Sequence, residues 1–221
     1  MKHWLIAAVL AVAATGCSSP GLRKAEGLEV AGKLAPVPKG VSVYQYVDPR
    51  FDFLPFRRVL LEPVVVYTAP DHGFGDIPQA ERQALARFID ANAPRILGGG
   101  AVKLAEAPAP DVLQLRLTLV GMTRSRPLLQ GVSYAIPVGA ALNLAKGAAG
   151  GSGVFMGSVI LAGEFYDTST GALAAGFLAQ RSPNAVNVLA IASESAAAEQ
   201  GALSLLEEPR GRFDARAAER R

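Results

Sequence analysis

The sequence predicts an α+β (or mixed α/β) fold, a largely antiparallel sheet covered by helices, and three stretches carry that expectation. In DVLQLRLTLVG, Leu113, Leu115, Leu117 and Leu119 point one way while Gln114, Arg116 and Thr118 point the other, the period of a strand with one buried and one wetter face. GVFMGSVILAGEFYD and ALAAGFLAQ are two further extended runs joined by turn formers from Thr168 to Gly171, a hairpin pattern. Between the first strands and these lies a segment of helical period. A doubly wound nucleotide fold would need strands apolar on both faces, which the leucine alternation does not offer.

The helical segment starts at Asp76, where D-x-x-Q to Gln79 reads as a capping box and Pro78 fits the first turn. Ala80, Ala84, Leu85, Phe88 and Ile89 form the expected apolar stripe; Glu81, Arg82 and Arg87 lie off it. Gly98 to Gly100 stop the helix, and a short strand is expected over 101–104. Upstream, Val41, Val43 and Gln45 share one side of an extended strip, with Ser42, Tyr44 and Tyr46 on the other. A β-branched strand is expected from Val59 to Thr68; Pro63 inside it argues for an edge position or a bulge. Asn184 can cap an Ala-rich final helix reaching Glu207, closed by Pro209.

The first residues are of a different kind. Lys2 precedes an apolar run from Trp4 to Ala14, about eleven residues long and too short to span roughly 30 Å of hydrocarbon as a helix. Small residues then lead into Cys17. A positive start, a short apolar run and small residues at the junction are the marks of an export signal. The segment ATGC from Ala14 to Cys17 resembles the lipobox of bacterial lipoproteins, with Ala14 where leucine is more usual. That resemblance implies cleavage before Cys17 and acylation of Cys17, so that the chain meets the membrane through lipid. Durable anchoring takes more than one acyl chain. Ser18 and Ser19 follow where an aspartate would favour inner-membrane retention in proteobacterial lipoproteins, which implies the outer membrane, with the body on its periplasmic face.

The expected organisation is therefore a signal at 1–16, a lipidated cysteine and flexible tether at 17–40, one periplasmic domain at 41–208 and a basic tail at 209–221. The stretch from Ser18 to Lys39 is rich in Gly, Pro, Ala and charge, without lasting periodicity. In the tail, five arginines face only Asp214 and Glu219. Formal charge over 221 residues is +3, and loss of Lys2 leaves +2 (3 − 1), a balance that does not suggest a nucleic-acid partner. Cys17 is the only cysteine, so no intrachain disulfide can form.

YVDP at Tyr46 to Pro49, RRVLLEPVVVY at Arg57 to Tyr67, the Leu-alternating strand and GEFYDTSTGALAA at Gly163 to Ala175 resemble an uncharacterised family of bacterial outer-membrane lipoproteins, domain of unknown function 3313. The resemblance covers roughly Val41 to Glu207 and implies a periplasm-facing lipoprotein domain. It implies no activity and no catalytic residue.

Chemistry-bearing patterns are sparse. His3 leaves with the signal, and His72 stands beside Asp71 in APDHGFGD, a Pro/Gly-rich loop where two adjacent side chains do not make a zinc site. An acylated Cys17 is no nucleophile. GGSGVFMG has neither a G-x-S-x-G elbow nor a Walker lysine, because Lys146 precedes the glycines. Asp48 with Asp52, and Glu207 with Glu208, read as charged surface. The expectation is a non-catalytic envelope lipoprotein without cofactor or metal, binding a protein partner or supporting an assembly. The alternative is a small-ligand or cell-wall binding module, or an enzyme without a recognised signature, which convergent Asp48, Asp52, Asp71 or His72 in a deep pocket would favour. From Val132 to Gly163 the only charged residue before Gly163 is Lys146, and the surplus apolar surface there, with Leu142, Leu144 and Phe155, is the candidate self-association or partner face.

Overall fold

The computed structural model describes residues 25–37, 43–100, 103–123, 157–182 and 198–207. Its centre is one mixed sheet. The strands are β1 (Ala35–Pro36), β2 (Val43–Val47), β3 (Arg58–Leu61), β4 (Val65–Val66), β5 (Lys103–Ala105), β6 (Val112–Thr123), β7 (Ser158–Asp167) and β8 (Leu173–Arg181). They lie in the order β1-β2-β8-β7-β6-β3-β5, with β4 also paired to β6. The β1, β2, β8, β7 and β6 side is antiparallel throughout, whereas β3 and β4 run parallel to β6. The fold is α+β, as the patterning predicts.

β6 is the spine. Leu113, Leu115, Leu117 and Leu119 are all buried, and Gln114 and Arg116 are half-exposed on the other side. The predicted wet face ends there, however. Thr118 and Val120 are buried too, and a register shift between Leu119 and Gly121 returns Met122 to the leucine side. One extra residue in a strand inverts the alternation beyond it.

Helix α1 (Gln79–Leu97) covers the leucine side, joined by a second helix, α2, at 198–207. Ile89, Ile96, Leu97, Leu205 and Leu206 pack there with Leu115, Leu117, Leu119 and Leu161 in one core. Two details of α1 correct the expectation. Asp76 makes no capping bond: Pro78 is the N-cap, at ψ 148, and its carbonyl accepts the Glu81 and Arg82 amides. Burial of Ile77 on the core fixes the chain's approach, so the helix begins two residues later than a capping box at Asp76 would place it. The buried stripe is Leu85, Ala86, Ile89, Ala93, Ile96 and Leu97, while Ala80 and Ala84 are exposed and Phe88 is half-buried. Asn184 and 183–197 lie outside the described residues.

Pro63 neither edges nor bulges a strand; it splits one. β3 and β4 stand on either side of it, both against β6, and β3 is interior. Across the break the Val64 amide donates to Asp90 Oδ1 of α1 at 2.7 Å, so a helix side chain replaces the lost ladder bond. The predicted hairpin is present. Its turn is held by Asp167, whose Oδ1 accepts the Ser169 amide and Oδ2 the Thr170 hydroxyl, and Gly171 takes φ 71. Thr168 donates its hydroxyl to the Ala109 and Val112 carbonyls, fastening the turn to the start of β6.

The tether expected at 17–40 gives way at Ala25. Residues 25–37 form a folded strap across the second face of the sheet, including a 3-10 turn at Ala31–Lys33 and β1. Ala25 and Val30 are wholly buried. The Gly/Pro-rich composition hid this because only a few strap residues face inward. The domain therefore begins well before residue 41. Among the described residues no helix is long and apolar enough to cross a membrane.

Ile89 has no exposed surface, so Ile89→Ala is expected to cost about 2–5 kcal/mol in denaturant unfolding. Phe88→Ala should fall below the ~3–5 kcal/mol of a fully buried phenylalanine, and Arg87→Ala should stay within about 0.5 kcal/mol. Equal losses at Arg87 and Ile89 would contradict the helix phase.

Candidate functional site

The polar side chains with the most specific geometry lie on the second face, and most of them hold the strap. Asp71 Oδ2 accepts the Glu26 amide at 2.8 Å, and the Tyr67 hydroxyl accepts the Gly27 amide at 2.8 Å while donating to Asp71 Oδ1. Glu164 Oε1 accepts the Val30 amide at 2.9 Å. Glu164 is only 3% exposed, a carboxylate in the middle of an apolar strand. Beneath the strap, Val30 packs with Tyr166 and Leu173, and Ala25 with Tyr67, Val120, Ile160, Ala162 and Leu178. Gly176 permits the close approach: a Cβ there would lie 2.6 Å from Val30 Cγ2.

Beside this runs an ion-pair cluster. Arg116 Nε donates to Glu62 Oε2 at 2.8 Å, and Gln114 Nε2 donates to Glu62 Oε1. Glu164 is the cross-strand neighbour of Arg116, and the guanidinium lies 4.9 Å from the Tyr166 ring centroid. The Glu62 bond raises the Arg116 pKa above its ordinary value. Burial, followed by the charge of Glu164, pushes the Tyr166 hydroxyl far above the usual phenol range. Burial is also the main cause of the raised Tyr67 value, against the lowering effect of the Gly27 amide. Both phenols are protonated at neutral pH, as an ordinary tyrosine is.

The acidic and histidine candidates do not converge. Asp48 and Asp52 lie in the β2–β3 loop, where Asp48 Oδ1 accepts the Arg50 amide and Asp52 Oδ1 the Leu54 amide. That loop adjoins the start of β8, through the Asp48 amide and the Ala174 carbonyl. Asp71 and His72 belong to the other end of the sheet, next to Tyr67 and Val120; His72 Nδ1 accepts the Phe74 amide at 3.3 Å. So Asp71 is no loose loop carboxylate but a strap holder. Among the described residues no group of three or more His, Cys, Asp or Glu is placed to hold a metal ion. Cys17, Leu142, Leu144, Phe155, Lys146 and Glu208 lie outside the described residues. Two groupings escaped the sequence reading: the buried Glu164, and the rings of Phe51, Phe53 and Phe56, with centroids 4.6 and 5.2 Å apart, in the β2–β3 loop beside exposed Leu54.

Replacing Glu164 by alanine would leave the Val30 amide buried without its acceptor, at about 1–3 kcal/mol. Glu164→Gln keeps an acceptor oxygen and is expected to lose less than half as much in urea unfolding. A second test concerns Arg58, which meets Asp111 through Nε at 2.9 Å and through Nη2 at 2.5 Å. The Arg58 hydrogen bonds hold the Asp111 carboxyl below its ordinary range. A lowered folded pKa means the pair stabilises fully above the unfolded value, near ~4, and is lost as pH falls through the folded value. Melting temperatures of wild type and Arg58→Met should thus differ at neutral pH and converge in acid.

Among curated proteins none matches the chain by sequence. Among solved structures the chain is similar to two PelC dodecamers from Paraburkholderia phytofirmans, one of them a point variant. The variant is 16% identical with a TM-score of 0.38, and the other 15% identical with a TM-score of 0.40. Each alignment covers 75% of this chain and 91% of the PelC chain. The model of the family described as protein of unknown function (DUF3313) matches residues 26–208, taking in the strap from Glu26 onward, the whole described sheet and both helices, and the chain belongs to that family.

Proposed function

We propose that this chain is a non-catalytic envelope lipoprotein, tethered to the outer membrane by lipid on Cys17, with its domain on the periplasmic face. There it binds a protein partner, or a second copy of itself, in support of an envelope assembly. The observation that carries the reading is the first seventeen residues: a basic start, a short apolar run and the ATGC junction. The geometry is in keeping with it. Asp71, Tyr67 and Glu164 bind backbone amides of the strap, and Glu62, Gln114 and Arg116 bind one another, so these groups serve cohesion. The partner face in this reading is the stretch containing Leu142, Leu144 and Phe155, whose apolar composition suits association.

Cells fed a palmitate analogue should label the wild-type protein, and Cys17→Ser should carry no label and accumulate uncleaved. Equal labelling of both would overturn the reading. Density fractionation of the same cells should recover the labelled protein with outer-membrane markers.

A further inference from the structure

Between β2 and β3 the chain carries apolar side chains that the core does not use. Phe51, Phe53 and Phe56 pack on one another, with ring centroids 4.6 and 5.2 Å apart, and none of the three belongs to a core cluster. Leu54, set among them, is 64% exposed, and Val47 at the end of β2 is exposed too. Apolar groups gathered outside the core mark a contact site. The loop is also preshaped. Asp48 Oδ1 accepts the Arg50 amide and the Asp48 carbonyl the Phe51 amide; Asp52 Oδ1 accepts the Leu54 amide and the Phe53 carbonyl the Phe56 amide. Both ends are tied to the sheet, through the Asp48 amide on the Ala174 carbonyl and the Arg57 and Arg58 amides on the Asp111 carbonyl.

We propose that this loop is a membrane contact: Leu54 and the phenyl rings enter the headgroup–acyl boundary of a bilayer with anionic headgroups, and Arg50 and Arg57 meet its phosphates. Area, backbone and charge each favour lipid over a second copy of the chain. Phe51, Phe53 and Phe56 are half-buried, and a whole aromatic side chain carries about 150–250 Å², so with Leu54 they present only a few hundred Å². A stable protein interface takes about 800 Å² from each partner. A bilayer sets no such minimum, because each apolar group removed from water contributes by itself. Amides carried into that boundary without partners are costly, and here the loop's own carbonyls and carboxylates supply them. The Arg50 side chain is 89% exposed and Arg57 is exposed, whereas Asp48 is only 20% exposed and both loop carboxylates are engaged by amides. Cations thus lead toward the surface, and long arginine stems let the guanidinium stay at phosphate level while the rings sink. The contact needs no acyl chain; beside lipid on Cys17 it is a second, non-covalent hold.

The test places a tryptophan at the loop tip of the full chain, Leu54→Trp, and another at exposed Asp76, a few residues from the Gly73–Gly121 bridge at the opposite end of the sheet. Emission of the unsubstituted protein is subtracted from each. Phosphatidylethanolamine–phosphatidylglycerol vesicles carry lipids brominated near the top of the acyl chain. Leu54→Trp emission is expected to shift to the blue on mixing and to be quenched several-fold more than that of Asp76→Trp. Exchanging phosphatidylglycerol for phosphatidylcholine, or adding Arg50→Gln with Arg57→Gln, should weaken that quenching several-fold. Equal quenching at the two positions, or none, overturns the membrane contact. Quenching indifferent to both headgroup charge and the arginines overturns the anionic surface. A blue shift that grows with protein concentration in the absence of lipid assigns the loop to a second copy and overturns the proposal as well. Protein that takes up the palmitate analogue and floats with vesicles, yet shows no quenching at Leu54→Trp, defeats this inference alone and leaves the lipid anchor standing.

Discussion

Leu117 and Leu119 on one side of β6, and Thr118 and Val120 on the other, are all removed from water. A sheet whose central strand is buried on both sides needs a cover on each, and every other feature follows from how the two covers are made. Helices α1 and α2 cover the leucine side by bulk, with a continuous core of aliphatic side chains. The second side is covered by a single segment of thirteen described residues, 25–37, made of turns, a 3-10 turn and β1, which has far less apolar surface to offer. Its own turns satisfy the Leu28, Ala31 and Lys33 amides, but not those of Glu26, Gly27 and Val30, and burying amides without partners is costly. Asp71, Tyr67 and Glu164 are the answer: three side-chain oxygens, each accepting one strap amide.

The same constraint explains which parts of the fold were legible in the sequence. Period-two leucines in β6 and the DTSTG turn between β7 and β8 are local patterns, and both elements formed where their residues pointed. α1 was legible as a helix but not in its phase. Ala80 and Ala84 fit an apolar stripe equally well, and only the core position of Ile77 and Leu97 decides that they stay outside. Pro63 was legible as a disruption. That both halves of the split strand would remain on β6 depended on Asp90, twenty-six residues away, supplying an oxygen to Val64. The strap was not legible at all, because its glycines and charges have the composition of a tether and its two deeply buried residues, Ala25 and Val30, show no period.

For the polar cluster the sequence did contain a signal. Glu164 is the single carboxylate inside SVILAGEFY, an otherwise apolar stretch, and a charge placed there must find a partner or a route to water. It finds the Val30 amide and stands opposite Arg116. Arg116 alternates with the buried leucines of β6, so the two charges could be placed on one face of a hairpin once the register was known. The register itself was beyond reach, since β6 and β7 are separated by the long stretch 124–156.

Fastening the strap through carboxylates and a phenol, rather than through apolar bulk, has a mechanical consequence. The strap is held at Glu26, Gly27 and Val30, so a pull on the chain before Ala25 loads Asp71 and Tyr67 before Glu164. Asp71 and Tyr67 also bond each other, which joins the first two holding points to the end of β4 and, through the Tyr67 amide, to the Leu119 carbonyl of β6. The load therefore passes into the central strand within one residue of its bulge. A packed helix at this position would spread such a pull along its length. The strap delivers it first to the Tyr67 and Asp71 end of the sheet and then to Glu164, which makes residues 25–30 part of the domain in their mechanics as well as in their packing.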